Sequence, residues 1–408
     1  MKNQQYKTQI YKFGFYGLLK NLKFFEPFLW LYFIINGLSL FQIGLLYSIR
    51  EGIIYVFEIP SGVFADRFGK KNELILCFVF YILSFIGFYL SDAFYLFAIA
   101  MTLYGFGEAF RSGTHKAMIM QYLEHYDLKE SKTQIYGLTR SYSNIGSAVS
   151  SIGGIILVLY SPELSYLFLV AILPYILDLV LILSYPNFLN EKVDQSFKWK
   201  AFIKENWNSV KYTFTTKELN LTILDSSMYQ AIFKTLRDYI QPIILGIGIT
   251  FILFSNLSMD ENIKIYIGLI YFVAYFISIF ASKNAYLLEN RFGRQNIIEL
   301  MWILMSVTII LLGVLINNFA FIVISFMAFY LFLNIRKPYL VNKIGLLSDQ
   351  SKRASVLSIE SQITSLFIIV IAPIAGYLAD TFSIQVMLIA VGLFMMVVKL
   401  FMVIKKSA

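Results

Sequence analysis

The chain has 408 residues, of which 58% are hydrophobic and only 14% charged, and its mean hydropathy is +0.68. A soluble protein of this length has too little polar surface to cover so much apolar area, which excludes that class and leaves a polytopic membrane protein. The net charge of +9 would suggest nucleic acid in a soluble chain. Here the excess lies between apolar runs, so it reads as membrane orientation, with no nucleic-acid partner.

Twelve apolar runs of membrane length follow one another, at about 14–36, 40–64, 72–91, 94–120, 132–160, 164–185, 219–247, 263–285, 296–316, 319–343, 354–379 and 383–404. The first follows Lys2, Lys7 and Lys12 and continues to full span length, so no cleavable signal is expected. The turns after the first and third runs, Asn36-Gly37-Leu38-Ser39 and Ser91-Asp92, are very short. Between the second and third runs stands Glu58-Ile-Pro-Ser-Gly62-Val-Phe-Ala-Asp66-Arg67-Phe-Gly69-Lys70-Lys71. A charged, Gly-bearing turn between two membrane-length segments has to sit at a water interface. Gly62 and Gly69 permit tight helix contact and a sharp reversal. Asp66 and Arg67 offer a carboxylate and a guanidinium for neighbouring helix ends. With Gly62, Asp66, Arg67, Gly69, Lys70 and Lys71 the stretch resembles the Gly-x-x-x-Asp-Arg-x-Gly-Arg-Lys loop of the major facilitator superfamily, with Lys70 in place of Arg.

Lys and Arg concentrate at the N-terminus, at 67–71, 129–132, 192–217, 283–294, 343–353 and 405–406. The opposite loops carry almost none beyond Lys264, so the positive-inside rule puts both termini in the cytoplasm of a cell whose plasma membrane holds the protein. The longest inner loop follows the sixth run. Its Lys198, Lys200, Lys204 and Lys211 alternate with Phe197, Trp199, Phe202, Ile203 and Trp207, a mix expected of an amphipathic helix on an anionic leaflet. It divides the chain into bundles at 1–190 and 219–408, with 191–218 as the linker.

The two halves echo each other. Leu288-Glu289-Asn290-Arg291-Phe292-Gly293-Arg294 repeats the pattern of Phe64-Ala-Asp66-Arg67-Phe68-Gly69-Lys70. Lys20-Asn-Leu22-Lys23 before Glu26-Pro27 is matched by Lys234-Thr-Leu236-Arg237 before Gln241-Pro242, and Thr114-His115-Lys116 by Ile335-Arg336-Lys337. The resemblance to the superfamily therefore covers nearly the whole chain. It implies an all-α fold of twelve transmembrane helices in two six-helix bundles, a cavity lined by runs 1, 4, 7 and 10, and a loop latch at Asp66 and Arg67, mirrored at Arg291, Gly293 and Arg294. Asn290 replaces the acid of that mirrored latch, with Glu289 beside it as a substitute. Two features depart from drug-exporting relatives. Met101 stands where they often have an Arg in run four, and run five lacks their Pro, reading Gly146-Ser-Ala-Val-Ser-Ser-Ile-Gly153-Gly154.

Each ionisable group at membrane depth costs about 2.5–3.5 kcal/mol on insertion scales, so each needs a reason. Glu26 lies mid-run one, and Arg50 and Glu51 mid-run two. These three lead the list, because both signs of charge meet on runs expected at the cavity. Glu108, Arg111 and His115 share one face of run four. Glu108 with Arg111 reads equally as a structural ion pair or as ligand contact. Arg140 lies in run five, and Lys234 and Gln241 bring polar groups to run seven, in a stripe with Gln230 and Asp238. The bland readings are snorkelling for His115, Lys116, Arg336 and Lys337, a helix-end role for Asp225 and a hydrogen bond to a neighbouring run for Asp178. Glu360 lies in run eleven.

Desolvated carboxylates at Glu26, Glu51 or Glu108 would serve as proton-coupling sites, and the guanidinium groups of Arg50, Arg111 and Arg140 suit a carboxylate or phosphate. The expectation is a secondary active transporter of a small anionic or zwitterionic solute, monomeric and without cofactor. Uptake and efflux stay open, and so do a drug exporter and a non-transporting scaffold. There is no Gly-x-x-x-x-Gly-Lys-Ser/Thr loop for ATP and no His-Glu-x-x-His. With only His115 and His125, no metal site and no enzyme are expected. The single cysteine, Cys77, excludes an intrachain disulfide.

Overall fold

Apolar segments that water cannot reach have to close their backbone hydrogen bonds within themselves, and helices result. The computed structural model describes residues 2–128, 132–190, 208, 210–248, 252–285, 287–288, 293–349 and 352–407. These residues contain no strand. Among them, nine helices are long and apolar enough to cross a membrane. They lie within α3 (Leu40–Phe68), α4 (Lys70–Leu90), α7 (Lys132–Tyr160), α8 (Tyr166–Leu183), α11 (Met259–Asn284), α12 (Arg294–Val314), α13 (Phe319–Leu347), α14 (Arg353–Thr381) and α15 (Ile384–Ser407).

The other three expected runs, the first, fourth and seventh, are not continuous. The first is α1 (Lys2–Lys20), a 3-10 turn at Glu26–Phe28 and α2 (Leu29–Ile35). The fourth is α5 (Phe94–Arg111) and α6 (Thr114–His125); the seventh is α9 (Lys217–Leu236) and α10 (Ile240–Ile247). Local chemistry explains the breaks. Pro27 opens the 3-10 turn and Pro242 stands in the first turn of α10, where a missing N–H costs nothing. Gly113 sits between α5 and α6 with φ +79°, a left-handed conformation that ends a helix. The echo between Lys23-x-x-Glu26-Pro27 and Arg237-x-x-x-Gln241-Pro242 therefore marks two homologous interruptions.

The chain forms two compact units. The first comprises Met1–Tyr32 and Ile49–Ser196; the second comprises Phe33–Ser48 and Phe197–Ala408. In the first, α4 packs on α5 and α8, and α1 packs on α7 and α8. In the second, α12 packs on α13 and α15, α9 on α14, and α11 on α13. The opening turns of α3 belong to the second unit and are held to α14 there. Asp380 accepts from the free N–H groups of Leu40 (3.0 Å) and Phe41 (2.7 Å), and Ser48 donates to the Ile369 carbonyl (2.8 Å). The backbones approach closely because Gly44 and Gly376 have no side chain. A Cβ on Gly44 would meet Pro373 Cα at 2.8 Å, and one on Gly376 would meet Phe41 Cα at 2.7 Å.

The repeat is visible at backbone level. Gly69 precedes α4 with φ 96° and ψ 142°, and Gly293 precedes α12 with φ 73° and ψ 149°. Both motif glycines thus hold the same Gly-favouring turn into a helix. The expected amphipathic helix of the linker, including Lys198, Lys200 and Lys204, lies outside the described residues, and so do Glu289, Asn290 and Arg291.

Candidate functional site

Within the first unit, polar chemistry gathers where α1 gives way to α2. The segment between them brings Lys23 to the side of α5. Its ammonium lies 3.3 Å from Glu108 Oε1 and donates to the Tyr104 hydroxyl. Arg111, one turn along α5, donates from its terminal nitrogen to Glu108 Oε2 at 2.5 Å and from Nε to the Tyr81 hydroxyl at 3.1 Å. The Lys23 ammonium also lies 5.0 Å from the Tyr104 ring centroid and 5.9 Å from that of Tyr81. Two cations share one carboxylate inside an aromatic wall. The partner of Glu108 is thus not Arg111 alone, and Lys23, which the sequence offered only as part of a repeat, is a full member of the cluster. Glu26, at the start of the 3-10 turn, is half-buried.

Arg50 and Glu51 pair with each other at 2.9 Å, and Glu51 is buried at 4% exposure. Gly105 on α5 lies under this turn of α3, where a Cβ would meet the Arg50 carbonyl at 3.1 Å. Arg140, by contrast, is exposed on α7.

His115 does not snorkel. Its ring stacks on Tyr16 at 3.6 Å between centroids, and Nε2 lies 3.2 Å from the Tyr185 hydroxyl. Tyr185 lies just beyond the end of α8 and is buried. Lys116 is exposed as expected. Asp178 is fully buried, yet neither carboxylate oxygen has a hydrogen-bond partner among the described residues. The hydrogen bond to a neighbouring run expected of it is not found among the described residues.

The motif residues divide by role. Gly62, Asp66 and Arg67 are exposed. Lys70 donates to Gln121 Oε1 (2.8 Å), and Lys71 donates to the carbonyls of Leu183 (2.6 Å) and Tyr185 (3.2 Å) past the end of α8. Asn190 Oδ1 accepts the Lys71 backbone N–H at 3.0 Å, capping α4. The lysine pair thus ties the start of α4 to α6 and to the end of α8 within one unit. In the mirrored loop, Gly293 and Arg294 are exposed at the start of α12.

In the second unit the expected residues lie near a break as well. Gln241 is fully buried and donates to the Tyr271 hydroxyl at 3.1 Å. Tyr271 donates to Asp238 Oδ1 (2.6 Å), while Tyr47 (3.2 Å) and Arg237 (3.3 Å) donate to Oδ2. Lys234 is half-buried in the last turn of α9 and forms no ion pair among the described residues. Glu360 accepts from Gln230 at 2.7 Å and from Ser226.

Two sequence readings are corrected here. Arg336 is not a snorkelling residue, for it is 1% exposed. Its guanidinium pairs with Asp225, donates from Nε to the Ile298 carbonyl (3.1 Å) and lies over the rings of Tyr229 (4.3 Å) and Trp302 (5.2 Å). Asp225 is no helix-end cap, because Lys399 holds its other oxygen at 2.8 Å and also pairs with Glu299. Four helices, α9, α12, α13 and α15, are joined through these four charges. No group of three or more His, Cys, Asp or Glu that could hold a metal occurs among the described residues.

Comparison with known proteins decides the family. The family model described as Major Facilitator Superfamily matches residues 21–282. The chain belongs to the Major Facilitator Superfamily. A Bacillus subtilis (strain 168) relative, "Uncharacterized MFS-type transporter YxaM", is 23% identical over 382 residues, covering 91% of this chain and 89% of the relative. The hexuronate transporter of the same organism is 27% identical over 168 residues, 41% of this chain and 38% of the relative. Among solved structures, a point mutant of the nucleoside transporter NupG superposes with a TM-score of 0.79 at 13% identity, over 98% of this chain and 99% of that one. As a Major Facilitator Superfamily protein, the chain is a multi-pass membrane transporter of small molecules.

Proposed function

We propose that this protein is a secondary active transporter of a small anionic or zwitterionic solute, driven by protons through alternating access. The supporting observation is the cluster around Glu108. Lys23 and Arg111 share that one carboxylate beneath the Tyr81 and Tyr104 rings. Among the three groups in contact, two cations meet one partly desolvated carboxylate, which favours a ligand that brings a carboxylate or phosphate. The hydroxyls of Tyr81 and Tyr104 add polar contacts around it. The hexuronate transporter among its relatives is named for a carboxylated sugar, consistent with that chemistry.

Glu26 and Glu51 are the proton-coupling carboxylates of this reading, with Arg50 setting the charge of Glu51 through their ion pair. Lys234 and Gln241 are the polar candidates within the second unit. Asp66, Arg67, Arg291 and Arg294 act as the gating latch. The interrupted segments at α1–α2, α5–α6 and α9–α10 cross the membrane with the nine long helices, giving twelve crossings in a monomer with both termini in the cytoplasm.

The test is flux in proteoliposomes under an imposed pH gradient, comparing wild type with Glu26→Gln, Glu51→Gln and the double variant. Loss of gradient-driven accumulation with solute exchange retained is the expected result. Undiminished accumulation in all three variants removes both residues as proton sites. A thermal-shift screen against anionic, zwitterionic and cationic metabolites reads the ligand class directly. Stabilisation confined to cations would contradict the proposal.

A further inference from the structure

The second unit contains a cleft of about 340 Å³ that the reading above does not use. Its lining includes the charge network of Asp225, Glu299 and Lys399, together with Lys217, Glu218 and Lys343. Five of these residues lie toward one end of their helices, the start of α9 and α12 and the closing part of α13 and α15, and Asp225 lies midway along α9. That end is the one the Lys- and Arg-rich loops mark as an inner membrane interface. Asp225 is eight residues into α9, or roughly 12 Å from its start, so the cleft spans headgroup depth.

The charges lining it balance in number but are unequally paired. Asp225 is satisfied by Arg336 and Lys399, and Glu299 by Lys399 and Gln295, which donates to it at 2.5 Å. Glu218 is the remaining carboxylate of the lining, which also holds Lys217 and Lys343. It reaches Lys343 at 3.7 Å, a loose pairing, while Lys343 also donates to Gln295 Oε1 at 3.1 Å; Lys217 is exposed and has no ion-pair partner among the described residues. Three lysines, Lys217, Lys343 and Lys399, thus meet three carboxylates, Glu218, Asp225 and Glu299, and Glu218 is the loosely held one. Beside the lysines the wall turns apolar, at Leu221, Leu340 and Met402. The lysines supply what a phosphate needs, and the apolar strip supplies what the first carbons of an acyl chain need.

We propose that this cleft binds a phosphate group through Lys217 and Lys343, with Glu218 as a competing internal anion that the phosphate displaces. The apolar strip makes an anionic phospholipid headgroup the favoured source, and a soluble phosphate ester shares the same chemistry. Such a ligand would brace α9 against α13 at their shared inner end.

The experiment uses the full chain in nanodiscs of phosphatidylcholine, with phosphatidylglycerol or glycerol 3-phosphate added. Bound lipid is counted by native mass spectrometry, and melting is followed in parallel. Wild type should take up phosphatidylglycerol in preference to phosphatidylcholine. Each of Lys217→Gln and Lys343→Gln should weaken that preference about fivefold. Glu218→Gln should strengthen it, a gain that a merely misfolded variant does not show. The same pattern with glycerol 3-phosphate alone supports the site with a soluble source. Equal lipid preference in wild type and all three variants, with no glycerol 3-phosphate effect, overturns it. The readout is binding and not flux, so its failure is separate from failure of the transport reading.

Discussion

Buried charge in this protein is arranged asymmetrically, and the asymmetry is open to test. Asp225 has two cationic partners, Arg336 and Lys399, whereas Arg336 has Asp225 as its only carboxylate among the described residues. Removing one partner of a buried pair costs about 3–5 kcal/mol when it leaves an uncompensated charge. Asp225→Asn strands the Arg336 guanidinium and should show that full cost as a marked drop in melting temperature. Arg336→Leu leaves Asp225 still bound to Lys399 and should cost clearly less. The double variant should recover part of the Asp225→Asn loss, a coupling visible in a double-mutant cycle. Sequence reasoning missed this network because the partners lie 111 and 174 residues apart in the chain. Position along the run suggested that Arg336 reached an interface, and nothing local announced Asp225. The Glu108–Arg111 pair was legible, since one helical turn separates the two residues, and Lys23 was not, because it approaches from another segment.

At the scale of elements, the motif glycines were the most readable feature and the interruptions the least. Gly69 and Gly293 turn their chains alike because each must start a helix immediately after another segment ends. Their tolerance should nevertheless differ. An alanine at either position meets a backbone conformation that costs about 1–3 kcal/mol. At Gly69 the new Cβ would also meet the Asn190 carbonyl oxygen at 2.8 Å, whereas at Gly293 nothing lies within 4 Å. Gly69→Ala should therefore lower the melting temperature more than Gly293→Ala. The breaks between α1 and α2 and between α9 and α10 were hidden by continuous hydropathy on either side. The signal was present in Pro27 and Pro242, each preceded by a cation, Lys23 and Arg237. Both cations go on to pair with a carboxylate, Glu108 and Asp238 respectively. A helix end leaves backbone groups unsatisfied, and such a place attracts polar side chains. The clustering of functional candidates at the interruptions follows from that.

For the molecule as a whole, composition alone fixed the membrane class, and the charge bias of the loops predicted its orientation. Membrane-impermeant maleimide labelling of intact cells checks that orientation. Asp92→Cys and Asn317→Cys should label from outside, and Asn72→Cys and Lys405→Cys only after permeabilisation. The reverse pattern would invert the topology without altering the fold. What hydropathy could not supply was the division of labour between the units. The first gathers a cationic cluster under tyrosines; the second ties four helices together with a network of alternating charges.

Cys77 has a practical corollary. Its sulfur lies 3.2 Å from the Gly107 carbonyl in a fully covered position of α4, and the chain has no other thiol. The natural sequence is therefore already a near-silent background for thiol-directed probes. Pairs of spin labels or fluorophores can be installed without first rebuilding the protein, and distances between them can be recorded in a chain that differs from the native one only at the labelled sites.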